Sequence, residues 1–486
     1  MGTGIAKAAA DMAQWPVFST QRGNAHQIRC GNVKQMSETA ATNREGRLAW
    51  LDALRGFAAL CVVFDHGSTL LLLPVRSFLY QWLNLGQYGV FVFFLVSGYI
   101  VPASLERKGS VRGFWISRAF RLYPMFLVAL VLSAVAYKTG HGTIANAGEH
   151  PFTAVLGWLF MLQNLLAGLN VPVVTWTLSY EMVFYLLLAA LFSWGIHRRS
   201  GWYATAFAVG AVALGGVIPM GALGHWSQGA ERGLVLDGVA DGLVLAGLAL
   251  TLLSRSWLAR AGASLAGLVA LVLVTFNQTY PYPWSGCVIL GLMFTGTMIY
   301  RAWGNDSAGG KVQRLGAGVL AVLIFAALTF AGDWHGERYG RHWQVQWTTS
   351  VLLAGATFAV GLAIRRVRIP RWCAWLGMIS YSVYLLHPLV FNAYRSIPVL
   401  HRKHTMPDQF LFFAGLLAVI IGLSALTYYL VEKPMQRLGR RVAAWAGHAT
   451  VTASGAGPSA RDGAPTAASR NASSSTAVAG GSGGSP

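Results

Sequence analysis

Charge is what this chain has least of. Only 11% of its 486 residues are Asp, Glu, Lys or Arg, against about 25% in a typical soluble protein, which argues against a water-soluble fold. Cysteine is scarce too. Cys30, Cys61, Cys287 and Cys373 are the full set, and none stands in a CxxC pair; a disulfide framework or a zinc site is not expected, and no metal centre of any kind is. There is no GxSxG, no Walker loop, no HExxH and no GxGxxG opening a helix after a strand, so the common signatures of hydrolases, nucleotide-binding folds and zinc peptidases are missing. No Ser or Cys stands beside an evident activating base, so nothing here supports a covalent acyl-enzyme.

What is present is apolar length. Hydrophobic residues make up 55% of the chain and the mean hydropathy is +0.49. Runs of 18 or more apolar residues recur from 48 to 431, the mark of a polytopic membrane protein. Backbone in lipid must satisfy its own hydrogen bonds, so these runs read as helices. They do not alternate as barrel strands would. The expected fold is therefore all-α, a transmembrane bundle of about 10–12 spans. Twelve are placed near 48–73, 84–104, 117–137, 174–196, 203–221, 233–253, 261–278, 283–301, 315–331, 344–364, 372–393 and 408–431. A further apolar piece, 152–169, reads as re-entrant or interfacial. Residues 1–46 form a polar tail without a signal-peptide core, 47–441 the membrane domain, and 442–486 an Ala/Ser/Gly-rich tail whose composition favours disorder.

The net charge of +20 does not point to nucleic acid, because the cations follow the positive-inside rule. Arg107, Lys108, Arg112, Arg118 and Arg121 fall in one loop region, Arg198 and Arg199 in another, and Arg365, Arg366, Arg368 and Arg371 in a third. Lys433, Arg437, Arg440 and Arg441 follow the last span. Loops of the other side are sparser, with Arg76, Lys138, Arg232, Arg338, Arg341, Arg395, Arg402 and Lys403. This asymmetry puts both ends in the cytoplasm. Counting 152–169 as a full span would reverse every later loop.

Four stretches carry groups that lipid disfavours. In LDALRGFAALCVVFDHG, residues 51–67, Arg55 and His66 are eleven positions apart, so they share a helix face about 16 Å apart along the axis. They suit one polar channel with a cation at its mouth and a base further in. Snorkelling to the headgroups accounts for Arg55 but not for His66. Asp65 points about 100° away from His66 and reads as a structural partner of another helix. In the second stretch, 93–124, Ser97 and Tyr99 put hydroxyls into a span. Arg118 and Arg121, three apart, share a face and suit phosphate oxygens, although a positive-inside loop explains them equally well. In TWTLSYEMVFYLLL, residues 175–188, Thr177, Glu181 and Tyr185 form one polar stripe. Glu181 then needs a partner or a cavity, and His66 is the candidate partner. In LGMISYSVYLLHPLV, residues 376–390, Ser380, Tyr384 and His387 share a side. His387 is either a titratable group or a hydrogen-bonded packing residue. Glu432 and Lys433 before Pro434 read as a helix stop and interface anchor. Asp237 and Asp241 form an i, i+4 acidic pair with no assigned role.

Taken together and in order, Arg55 with His66 ten residues between, SGYI, SRAFRLYP, WTLSYE, SYSVYLLHP and VEKPMQRL resemble the bacterial acyltransferase 3 family of integral membrane O-acyltransferases, over about 47–441. The resemblance implies transfer of an acetyl or other short acyl group from acyl-CoA, acting as donor substrate, to a hydroxyl of a carbohydrate such as an exopolysaccharide, O-antigen or lipid-linked sugar, at the bacterial inner membrane. It makes His66 the essential histidine and Arg55 the family's arginine, and assigns Arg118 and Arg121 to the donor. The expected chemistry is general-base catalysis by His66, with Glu181 orienting it and Arg55, Arg118 and Arg121 holding CoA phosphates. Tyr384, His387 and Ser97 are then substrate-binding candidates. Two other classes use the same groups: a transporter or flippase with His and Glu as a proton relay, and a non-catalytic partner in polysaccharide assembly. The topology is open to a direct test. A fluorescent protein fused after residue 441 should fluoresce and alkaline phosphatase fused there should stay inactive; the opposite pair of results would reverse the orientation.

Overall fold

A computed structural model of the chain describes residues 49–140, 151–166, 170–223, 230–254, 257–278, 281–303, 310–397 and 405–454. Residues 1–46, Cys30, Arg402, Lys403 and most of the C-terminal tail lie outside the described residues. Among those described there is no strand. The helices are α1 (Ala49–Leu71), α2 (Leu73–Leu79), α3 (Leu85–Lys108), α4 (Val111–Lys138), α5 (Pro151–Phe160), α6 (Trp176–Ser193) and α7 (Ser200–Leu214). They continue as α8 (Ala230–Leu253), α9 (Trp257–Phe276), α10 (Ser285–Trp303), α11 (Lys311–Gly336), α12 (Arg341–Ala363), α13 (Arg371–Arg395), α14 (Met406–Thr427) and α15 (Lys433–Ser454). A 3₁₀ turn, Val173–Thr175, leads into α6, and a π-helical turn, Tyr428–Glu432, joins α14 to α15. Helix α15 runs on past residue 441, where the composition had suggested a boundary.

Local chemistry sets the helix ends. The Asn84 side chain accepts from the Gln87 N–H to open α3, and Gly109, with φ of 62°, closes it in the left-handed region. Ser110 then caps α4 by accepting from Gly113.

Among the described residues, eleven helices are long and apolar enough to cross a membrane. They coincide with eleven of the twelve expected spans. The twelfth, 203–221, corresponds to the fifteen-residue α7, about 22 Å long and short of a ~30 Å hydrocarbon core. The piece at 152–169 is not a span. Helix α5 ends after ten residues, the chain turns at Met161 with φ of 53°, and the described residues 161–166 and 170–172 are not helical.

Helices α3 and α10 form the centre, with 78% and 83% of their apolar windows buried, whereas α11 and the α14–α15 rod, at 22% and 17%, present most of their surface outward. Close approaches at glycine fix the centre. A Cβ on Gly98 or Gly296 would overlap the backbone of the facing helix, so α3 and α10 touch main chain to main chain, and Thr297 Oγ1 donates to the Gly98 carbonyl across the contact (2.9 Å). Helices α1 and α13 meet in the same way: a Cβ on Gly56 would lie 2.8 Å from the Gly377 nitrogen, and one on Gly377 would collide with the Asp52 carbonyl. Ten residues further along both helices, His66 meets His387. Equal steps on both helices mean that α1 and α13 run parallel. Parallel packing of the first and eleventh expected spans requires α7 to reverse the chain, short as it is, and α7 packs against α10 and α11.

The irregular backbone after α5 is held by a buried amide network. Gln163 Nε2 donates to the Thr175 carbonyl (2.9 Å) and Asn277 Nδ2 to the Leu165 carbonyl (2.8 Å). Tyr180 OH donates to Gln278 Oε1 (3.1 Å), which also accepts from the Gly286 N–H (2.9 Å). Non-helical backbone at membrane depth is tolerated only when buried protein satisfies it in this way.

The glycine contact yields a stability test. Gly377→Ala sets a methyl group against main chain that cannot rotate away, and should cost about 2 kcal/mol or more, seen as a lower thermal midpoint in detergent. Gly316→Ala, where a Cβ meets nothing within 4 Å, should leave the midpoint unchanged or raise it. Equal behaviour of the two variants would refute the close approach.

Candidate active site

Arg55 and His66 each line a cavity on the same face of α1. The histidine-side cavity, about 150 Å³, is walled by Asp65, His66, Gln87, Trp176, Tyr282 and Trp347 among others. The arginine-side cavity, about 50 Å³, is walled by Arg55, Ser97, Thr177, Glu181, Tyr381 and Tyr384 with apolar neighbours. Val90 and Tyr384 belong to both walls. The two spaces therefore abut, with the Tyr384 ring between them. Its hydroxyl donates to the Val174 carbonyl (3.1 Å) and accepts from Thr177 Oγ1 (3.0 Å), which anchors the ring to the start of α6.

The histidine end differs from the expectation in one respect. The partner of His66 is His387, not Glu181: His66 Nδ1 and His387 Nε2 are 2.9 Å apart, and His387 Nδ1 lies 3.1 Å from the Val383 carbonyl. The parallel packing of α1 on α13 brings the two rings together, while Glu181 sits on α6, on the arginine side. There Glu181 accepts a hydrogen bond from Tyr185 and faces the cavity with Arg55 and Ser97. Asp65 does find a partner on another helix. Arg76 of α2 lies 3.5 Å from its carboxylate and donates to its carbonyl at 2.9 Å, closing the chain over the end of α1.

The arginines lie in one charge cluster. Arg55 is within electrostatic reach of Arg121, Asp52 and Glu181, and Arg118 of Arg121 and Glu181. Arg118 is buried, its guanidinium 5.3 Å from the centres of both the Phe114 and Tyr185 rings, and its Nε has no hydrogen-bond partner. The ion pairs among the described residues are Arg76–Asp65, Arg301–Glu106 and His197–Glu106; Arg55, Arg118 and Arg121 take part in none. Three guanidinium groups held together in a low-dielectric bundle, outside any close ion pair although Tyr185 hydrogen-bonds Arg118 and Asp52, Glu181 and Glu432 lie in their field, can take an anionic guest. Arg118 also reaches the wall of a third cavity of about 280 Å³ between α4, α6 and α8, whose other lining is apolar or aromatic.

Some members of the site were not recognised in the sequence. Glu432 is no interface anchor: it is 2% exposed, accepts from Ser382, and lies in the field of Arg121 and Arg55. The π-helical turn at Tyr428–Glu432 turns it inward, a distortion that periodicity does not announce. Gln163, Asn164, Asn277 and Gln278 were also passed over. The available signal was two amide pairs, QN and NQ, at the edges of apolar runs. Asp237 and Asp241 are both buried, and the Asp241 carboxylate oxygens have no hydrogen-bond partner.

The many-helix bundle agrees with what sequence comparison finds. Residues 48–236 and 242–429 match the acyltransferase domain family, acyltransferase 3, and the chain belongs to that family. Among individual relatives, it is 33% identical over 150 residues to the acyltransferase MdmB of Streptomyces mycarofaciens, covering 29% of this chain and 38% of that protein. It is 30% identical over 182 residues to nodulation protein 10 of Rhizobium leguminosarum bv. viciae, covering 34% and 48%. It is 28% identical over 186 residues to the O-acetyltransferase OatA of Staphylococcus aureus, covering 35% and 29%. The chain thus spans less than half the length of each of these relatives. No solved structure matches.

The amide network supports the start of α6, and with it Thr177 and Glu181. Gln278→Leu leaves the Tyr180 hydroxyl and the Gly286 N–H without their acceptor, at about 1–3 kcal/mol for each buried group. A thermal midpoint in detergent equal to that of the parent protein would show that the network does not carry the segment.

Proposed function

We propose that this chain is an O-acyltransferase of the cytoplasmic membrane that moves an acetyl or other short acyl group from acyl-CoA to a hydroxyl of a carbohydrate. One observation carries the proposal: two cavities share the Tyr384 wall, one lined by Arg55, within electrostatic reach of Arg121, and the other by His66. Arginine forks suit the phosphates of CoA, and the positive-inside loops put that end in the cytoplasm. The pantetheine arm is long and thin and comparable with the ~16 Å separation of Arg55 and His66 along α1, so the thioester carbonyl comes to the Tyr384 wall.

The histidine side supports a sugar acceptor. Its cavity combines the Trp176, Tyr282 and Trp347 rings with the side chains of Asn84, Gln87 and Asp65, apolar faces beside polar groups, as a pyranose ring requires. Trp343 and Trp347 stack at 5.4 Å and Tyr282 and Trp284 at 5.3 Å, which makes the aromatic wall rigid. An acceptor hydroxyl there gives its proton to His66 and attacks the acyl carbon. The thiolate of CoA leaves without needing an acid, so one base suffices. Ser97 and Glu181, on the arginine-side wall, line the path of the acyl group, and Arg55, Arg118 and Arg121 bind the donor.

Purified protein in detergent should release free CoA from acetyl-CoA when a glycan acceptor is added. His66→Ala should lower that rate by about 10²-fold or more while still binding the donor. Arg121→Ala should raise the KM for acetyl-CoA by about tenfold or more, since hydrogen bonds to charged groups contribute roughly 1.5–3 kcal/mol. Normal turnover by folded His66→Ala would end the assignment. Transport of glycan without CoA release would favour the flippase class instead.

A further inference from the structure

We infer that His387 is a positioning residue that fixes which nitrogen of His66 is free to take a proton; this rests on the reading of His66 as the base. The argument starts at the backbone. A carbonyl oxygen only accepts, so the nitrogen of His387 that faces the Val383 carbonyl at 3.1 Å, Nδ1, carries the hydrogen. The opposite tautomer would set a lone pair against a lone pair. His387 is fully buried and makes no ion pair among the described residues, and an unpaired buried cation is costly, so the ring is neutral. Its Nε2 is then an acceptor. His66 Nδ1, 2.9 Å away, must donate to it. A neutral imidazole has a single N–H, which leaves His66 Nε2 bare, on a ring that lines the histidine-side cavity. His387 does not line that cavity and acts through His66.

The sequence around the ring suits this role. Pro388 has no N–H and loosens the helical ladder at the turn where His387 lies against Val383. Gly377 and Gly56 hold α13 against α1 ten residues earlier, so the register of the two rings is set by main-chain contact. During transfer the acceptor O–H proton passes to His66 Nε2, a C–O bond forms to the acyl carbon, the C–S bond breaks, and CoA leaves as thiolate. The imidazolium keeps its Nδ1–H on His387 Nε2, now as a charge-assisted bond, and later returns the extra proton to water through the cavity.

The test is nitrogen NMR of ¹⁵N-histidine-labelled full-length protein in detergent, with the His66 signals assigned by their loss in His66→Ala. The expected result is His66 protonated on Nδ1 in the parent protein. His387→Gln, whose amide oxygen can occupy the place of Nε2, should keep that tautomer and a kcat within tenfold of the parent. His387→Leu should lose it, with kcat down about 10²-fold and the KM values for donor and acceptor within threefold. A parent His66 protonated on Nε2, or a folded His387→Leu with parental kcat, would overturn the inference. If the leucine variant does not fold, the parent spectrum and the glutamine variant decide. An active His66→Ala would instead defeat the base assignment, whichever tautomer the spectrum shows.

Discussion

The main-chain contact between α1 and α13 is the constraint on which the candidate site depends. Arg55 and His66 lie on one helix, and Ser382, Tyr384 and His387 on the other. Because Gly56 and Gly377 admit no side chain between them, the two helices cannot slide or separate without breaking that contact, and His66 and His387 fall opposite each other ten residues on. Polar groups inside a lipid-surrounded bundle have no water to fall back on, so each must find its partner within the protein. The paired imidazoles, the Asp65–Arg76 pair and the Ser382–Glu432 hydrogen bond meet that demand in turn. The arginine cluster meets it in part: Arg118 has Tyr185, but its Nε has no hydrogen-bond partner, and none of Arg55, Arg118 and Arg121 joins an ion pair among the described residues.

Much of the fold was legible because hydropathy and length are direct physical signals. Among the described residues, eleven long apolar helices fall where the runs suggested, and the common face of Arg55 and His66 follows from helix geometry alone. So did the need of Asp65 for a partner on another helix. What the sequence did not disclose depended on contacts between distant segments. Periodicity shows that Glu181 must face something polar, but not whether that is His66, Arg55 or Tyr185. It shows His387 on one side of its helix with Ser380 and Tyr384, but not that Gly377 brings that helix against α1. Glu432 was misread because a π-helical turn rotates it off the face that a regular helix would give it.

The turn after α5 illustrates a different limit. Its apolar composition matches that of a span, and only the charge balance argued otherwise. The structure supplies the reason that it can reverse inside the bundle. Gln163, Asn277 and Gln278 provide the hydrogen bonds that its backbone and its neighbours would otherwise lack. Two amide pairs far apart in the chain thus stand in for solvent, and α6, which carries Thr177 and Glu181, starts from the platform that they make.

The narrowness of the arginine-side space has its own consequence. About 50 Å³ holds only a few water-sized groups, and its boundary with the wider space is a tyrosine ring tied at its hydroxyl to α6. Under the proposed chemistry a pantetheine arm is larger than this space, so donor entry has to widen it, and the Tyr384 ring, anchored through its hydroxyl to Val174 and Thr177, is the wall whose release would do so.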